Sequence, residues 1–196
     1  MASFIWLAHS KRINAVLGWV LTGSVTLSVV ESFRKGALLW GGLALVIATV
    51  TVVPALSTGE GTMLPPWPLL LVTAIAVLVR TLGSYPEIAG YVAVASLALI
   101  AVVELDAFTP VDMSRRFTVG FAVLTTMAIQ GLWTVAQFYS DRWLGTGFLR
   151  SQTELQWDFV LVTAVGLVVG GVFVWYFDRV EHVGSAGRPM IPPEKP

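Results

Sequence analysis

The sequence predicts an all-α integral membrane protein, a single bundle of six transmembrane helices. Three observations carry that prediction. Six long stretches are almost free of charge, and a run of about 20 apolar residues at about 1.5 Å rise matches the ~30 Å hydrocarbon core of a bilayer. Mean hydropathy is +0.77, 56% of the 196 residues are hydrophobic and only 12% are charged, too few to keep such a chain in water as a globule. Trp and Tyr gather near the ends of the runs, at Trp40, Trp67, Tyr85, Tyr139, Trp143, Trp157, Trp175 and Tyr176, as an aromatic belt at a membrane interface would.

The first helix is expected over residues 13–30 and stops at Glu31-Ser-Phe-Arg34-Lys35-Gly36. Lys11 and Arg12 before an apolar run imitate a secretory signal. The run is longer than a signal's apolar core and lacks an Ala-x-Ala end, so it is expected to be retained. Helix two covers 37–56, and the polar loop Ser57 to Pro66 ends it, because Pro65 and Pro66 cannot continue a helix. Helix three opens at Trp67-Pro68, where a first-turn proline is tolerated, and runs to 82. Helices four, five and six are expected over 87–103, 117–139 and 158–177. Residues 1–182 form one domain, and 183–196, rich in Gly, Pro and charge, form a mobile tail. A membrane barrel is excluded, since its strands would alternate over about ten residues rather than run continuously apolar for twice that.

An even number of spans places both termini on one side. That side collects seven cations (Lys11, Arg12, Arg115, Arg116, Arg179, Arg188, Lys195) against five opposite (Arg34, Lys35, Arg80, Arg142, Arg150), which favours cytoplasmic termini in a cell membrane. Lys+Arg and Asp+Glu balance at 12 each, so nothing points to nucleic acid. Cysteine is absent, which excludes disulfides and thiolate chemistry.

Candidate functional residues are few. Arg80 ends an uncharged run that begins after Glu60, about one turn from the end of helix three. It either snorkels to the interface or closes a polar pocket with Asp141, Arg142 and Asp158, pairing with Glu87, Asp141, Asp158 or an anionic ligand. Gln130 and Gln137 lie seven residues apart on one face of helix five, and Thr126 and Thr134 extend the stripe. Such a stripe hydrogen-bonds helices together or lines a solute path, although no carboxylate falls mid-run in any helix. Arg115-Arg116 could grip a lipid phosphate bidentately or simply anchor to headgroups. Gly166-x3-Gly170-Gly171 is a small-xxx-small packing pattern, and Gly41-Gly42 a second close-approach site. His9 and His182 sit in no zinc spacing, and no nucleophile elbow or phosphate loop is present, so no metal, cofactor or catalytic residue is expected.

The segment Asp112-Met-Ser-Arg-Arg116-Phe117, then Gln137-Phe-Tyr-Ser140-Asp141-Arg-Trp-Leu-Gly145-Thr146, then Trp157-Asp158 and Gly166-x3-Gly170 resembles part of the VanZ-like and YjdF-like small multi-pass membrane proteins. The resemblance covers residues 112–171 and implies a compact multi-pass bundle. It would make Asp112, Gln137, Asp141 and Asp158 the positions able to carry a ligand. This chain departs from those families at Arg116, where they have histidine, and at Thr134, where they have glutamate, so a histidine–glutamate chemistry would be lost. The distance from Asp158 to Gly166 is also one residue longer.

The function expected is therefore non-catalytic: binding of membrane lipid, or of a membrane protein partner or second copy, as an accessory or envelope component. A small-solute transporter or channel built on Gln130, Gln137 and Arg80 is the alternative. A lipid-phosphate enzyme built on Arg115 and Arg116 is a third.

Overall fold

In the computed structural model the described residues are 11–83, 86–108, 115–148, 151, 153, 156–168 and 171, and those in regular structure are all helical. The helices are α1 (Lys11–Arg34), α2 (Leu38–Thr58), α3 (Trp67–Thr81), α4 (Pro86–Phe108), α5 (Arg115–Leu144) and α6 (Gln156–Val168). Four of them, α1, α2, α4 and α5, are long and apolar enough to cross a membrane. The first five helices lie over the expected stretches, but several run further: α1 continues through Glu31 to Arg34, and α5 extends to 30 residues, about 45 Å. Charge density does not stop a helix, because a charged residue in the last turn projects into the polar zone while its backbone stays bonded. By contrast α3 has only 15 residues, about 22 Å, shorter than a hydrocarbon core. The end expected for helix six at 177 and the tail 183–196 lie outside the described residues.

Hydroxyl-rich sequence is made compatible with apolar helices by back-bonding. Thr26, Ser28, Thr49, Thr51, Thr73, Thr81, Thr126 and Thr163 each donate to the carbonyl four residues earlier. The α1–α2 turn is a Schellman motif. Gly36 adopts φ +72°, its N–H reaches Phe33 O at 3.0 Å, and the Ala37 N–H reaches Ser32 O at 2.9 Å. A side chain at position 36 would strain this left-handed backbone.

The loop between α2 and α3 is fastened to α1 by two side chains. Asn14 accepts the Trp67 N–H at 2.7 Å, one of the donors that a helix start leaves unsatisfied, and its amide donates to Leu64 O at 3.2 Å. Trp19 Nε1 donates to Gly61 O at 2.8 Å in the same loop.

The core lies where α4 passes between α3 and α5 and also meets α2, while α1 packs on α2 and α3. Small buried residues on α4, among them Ala89, Ala93, Ala95 and Ala98, let the neighbours approach closely. Two of the glycines expected to serve packing stand close to a neighbouring helix. A Cβ at Gly41 would stand 2.9 Å from the Phe33 ring of α1, and one at Gly166 would stand 3.0 Å from Thr126 of α5, whereas Gly42 faces open space. Gly170 lies outside the described residues.

Candidate functional site

Three helix ends converge on one side of the bundle: the C-terminal ends of α1 and α3 and the N-terminal end of α2. Trp40, one turn into α2, is the centre of what they build. The Arg80 guanidinium carbon lies 4.1 Å from the indole centroid, a cation–π contact, and Trp133 of α5 packs on Trp40 at 4.7 Å with its plane tilted by 53°. On α4, Gly90 makes room for the indole edge, since a Cβ there would lie 2.7 Å from Trp40 Cη2. Residues of four helices thus meet at one tryptophan, and one guanidinium lies over its ring.

Beside this stack is a cavity of about 280 Å3. Its mouth carries Lys35 and Arg80 with Thr81 and Leu82, and its floor is the buried apolar set Leu43, Ala44, Val77 and Ala93. Lys35 Nζ donates to Thr81 O at 3.0 Å, tying α1 to α3 across the mouth, and lies 3.5 Å from Glu31, which also stands 3.8 Å from Arg34. Arg80 forms no ion pair or hydrogen bond among the described residues, and its Nε and the Nε1 of Trp40 are buried without a partner. No carboxylate lines the cavity among the described residues.

The pocket expected from Arg80, Asp141, Arg142 and Asp158 separates into three places. Only Arg80 reaches the cavity. Asp141 closes the turn after α5, accepting from Thr146 Oγ1 at 2.6 Å and from the Phe148 N–H at 2.7 Å, with Gly145 and Gly147 at positive φ. Asp158 accepts a hydrogen bond from the Tyr91 hydroxyl and so links α6 to α4. Arg142 is exposed. Arg115 and Arg116 open α5, and their side chains, like those of Glu87 and Asp112, lie outside what is described.

The stripe on α5 is buried as expected of a helix-facing row. Thr126 and Gln130 are fully enclosed, Thr134 and Gln137 half so. Their hydrogen-bonding is incomplete: Gln130 Oε1, Thr134 Oγ1 and Gln137 Oε1 are buried without partners. No three His, Asp or Glu side chains group at metal-binding distance among the described residues.

Sequence reasoning assigned Trp40 to the aromatic belt and passed over Trp133, Gly90, Tyr91 and Asn14. Trp133 carried a usable signal, for it is an indole in the middle of a run rather than at its end. Asn14 carried another, as an amide inside an apolar segment.

The profile of a family described as a domain of unknown function (DUF8268) matches residues 3–64, which include α1, α2 and most of the loop that follows. The match takes in Lys35 and Trp40 and stops short of Arg80. Neither a curated protein nor a solved structure matches the chain.

Proposed function

We propose that this chain is a multi-pass membrane protein, crossing the cell membrane six times with cytoplasmic termini, that binds lipid or a membrane partner in an accessory or envelope role. Large apolar side chains stand exposed on all six helices, among them Val20, Leu56, Ile75, Ile88, Leu132 and Val168, a surface suited to lipid tails and ill suited to water. The short α3 fits a bilayer if Arg80 reaches the headgroup level and the Trp67-Pro68 start lies at the other interface. The observation that carries the binding role is the guanidinium held over Trp40 at the mouth of an apolar-floored cavity, which no Asp, Glu or His lines among the described residues. The resemblance to the VanZ-like and YjdF-like proteins supports the compact bundle only. Two of its ligand positions, Asp141 and Asp158, already have partners within the chain.

The test is purification of the full chain from native membranes in a gentle detergent, followed by intact mass spectrometry. A stoichiometric protein partner or a defined lipid supports the reading. Turnover of a lipid by the pure protein, or solute movement in liposomes, defeats it. Because native cysteine is absent, single cysteines at Thr62 and Leu82 give the topology cleanly, and labelling from opposite sides is expected.

A second reading, a small-solute channel or transporter, is favoured by the unpartnered acceptors on α5. Gln130→Leu separates the two. Removing a buried polar group that has no partner is nearly neutral for stability, within about 1 kcal/mol. The variant is therefore expected to melt like the parent protein. A solute flux that this substitution abolishes would establish the second reading.

A further inference from the structure

We propose that the cavity between Lys35, Trp40 and Arg80 is a binding site for the oxyanion head of an amphiphile, a phosphate or carboxylate carrying an apolar tail. This inference rests on the binding role proposed above and specifies its ligand.

The argument starts from charge. Two cations, Lys35 and Arg80, stand at one mouth, and Glu31, which pairs with Lys35 and Arg34, is not among the residues lining the cavity. Lys35 spends one donor on Thr81 O and keeps others. Arg80 spends none among the described residues, and its buried Nε is a donor without an acceptor. A half-buried guanidinium lacking hydrogen bonds is costly, and a planar fork matches the two oxygens of a phosphate or carboxylate. The cation–π contact with Trp40 supports the charge of the guanidinium but uses none of its N–H groups as a conventional hydrogen-bond donor, so they remain for that pairing.

The floor then decides what kind of anion. Leu43, Ala44, Val77 and Ala93 are each less than 9% exposed and offer no hydrogen bond from their side chains. A fully hydrated ion gains nothing there, whereas the first methylenes of a tail do. The volume of about 280 Å3 sits at the lower edge of the ~300–1,000 Å3 usual for small-molecule sites. It holds a headgroup and the start of one chain, so the remainder of the tail must leave along the outer surface of the helices. The proposed topology brings this mouth to the headgroup level opposite the termini, where such a molecule would sit.

The full-length protein in a neutral maltoside detergent is incubated with dodecyl phosphate, dodecanoate, dodecanol or inorganic phosphate, and bound ligand is counted by native mass spectrometry. One saturable equivalent of dodecyl phosphate or dodecanoate is expected, with little retention of dodecanol or inorganic phosphate. Arg80→Gln is expected to weaken binding about tenfold or more, and Lys35→Gln, at an exposed position, about threefold. Arg80→Lys keeps the charge but loses the fork, and it is expected to bind several-fold more weakly while melting like the parent, which separates lost recognition from lost folding. Equal retention of dodecanol would overturn the oxyanion half of the proposal. Equal retention of inorganic phosphate would overturn the amphiphile half and assign the site to a soluble anion. Binding that ignores all three variants would overturn the site altogether, yet would leave the broader accessory role standing, since that role fails only on turnover or flux.

Discussion

Trp40→Ala is expected to destabilise the bundle by about 2–3 kcal/mol, more than the loss of any other side chain at the site. Deleting a tryptophan from a water-soluble core costs about 3–5 kcal/mol, of which part is the transfer of apolar surface out of water. In a bundle surrounded by lipid or detergent that part shrinks, because the tails outside are as apolar as the neighbours inside, and lost packing dominates. Trp40 is also only partly buried. What remains is considerable. The contact with Trp133 at 4.7 Å disappears, the cation–π support of Arg80 at 4.1 Å goes with it, and the space beside Gly90 has nothing to fill it. Equilibrium unfolding in mixed micelles of increasing sodium dodecyl sulfate measures the loss. Near-UV circular dichroism should fall at the same time, since two tilted indoles in contact are a strong source of that signal. The two tryptophans are coupled, so Trp133→Ala is expected to cost about 1 kcal/mol less in the Trp40→Ala background than in the parent. Strictly additive costs would mean that the indole pair is incidental to stability.

The weight carried by Trp40 shows which parts of the structure could be read in the sequence. Helix number and centres were legible because they depend on local quantities: the length of an apolar run, a proline pair at Pro65-Pro66, a glycine at Gly36. The polar stripe was legible too, since Gln130 and Gln137 share a face whatever surrounds them. What surrounds them was not. Whether Arg80 meets Asp141, Asp158 or an indole depends on how helices distant in sequence rotate and slide against one another, and periodicity says nothing about that register. An aspartate at a helix end can equally cap a turn, as Asp141 does with Phe148, or join two helices, as Asp158 does with Tyr91. A tryptophan one turn inside a span suits both an interface and a core. Gly90 was silent for a related reason: a lone glycine in an apolar helix has no signature until the neighbour it accommodates is known.

That neighbour makes Gly90 the position of the second large effect, and one whose sign should reverse with context. In the parent protein Gly90→Ala would set a methyl 2.7 Å from Trp40 Cη2 and 3.3 Å from Cζ3, closer than side chains tolerate. The obstacle is the edge of a rigid bicyclic ring, and any retreat disturbs its contacts with the Arg80 guanidinium and with Trp133. Overpacking of this kind costs about 1–3 kcal/mol, and here it also tips the platform beneath Arg80. In a Trp40→Phe background the outer six-membered ring is gone and the clash with it. Alanine then contributes only its better helix propensity, worth about 1 kcal/mol over glycine. Gly90→Ala is therefore expected to destabilise the parent and to stabilise the Trp40→Phe protein, with a coupling energy equal to the overpacking cost, about 1–3 kcal/mol, in a double-mutant cycle. Both variants are to be followed by unfolding in the same micelles. A cost at position 90 that stays the same with either aromatic at 40 would show that Gly90 serves some other end than the seat of Trp40. The four-helix clasp on that indole would then not be what orients Arg80.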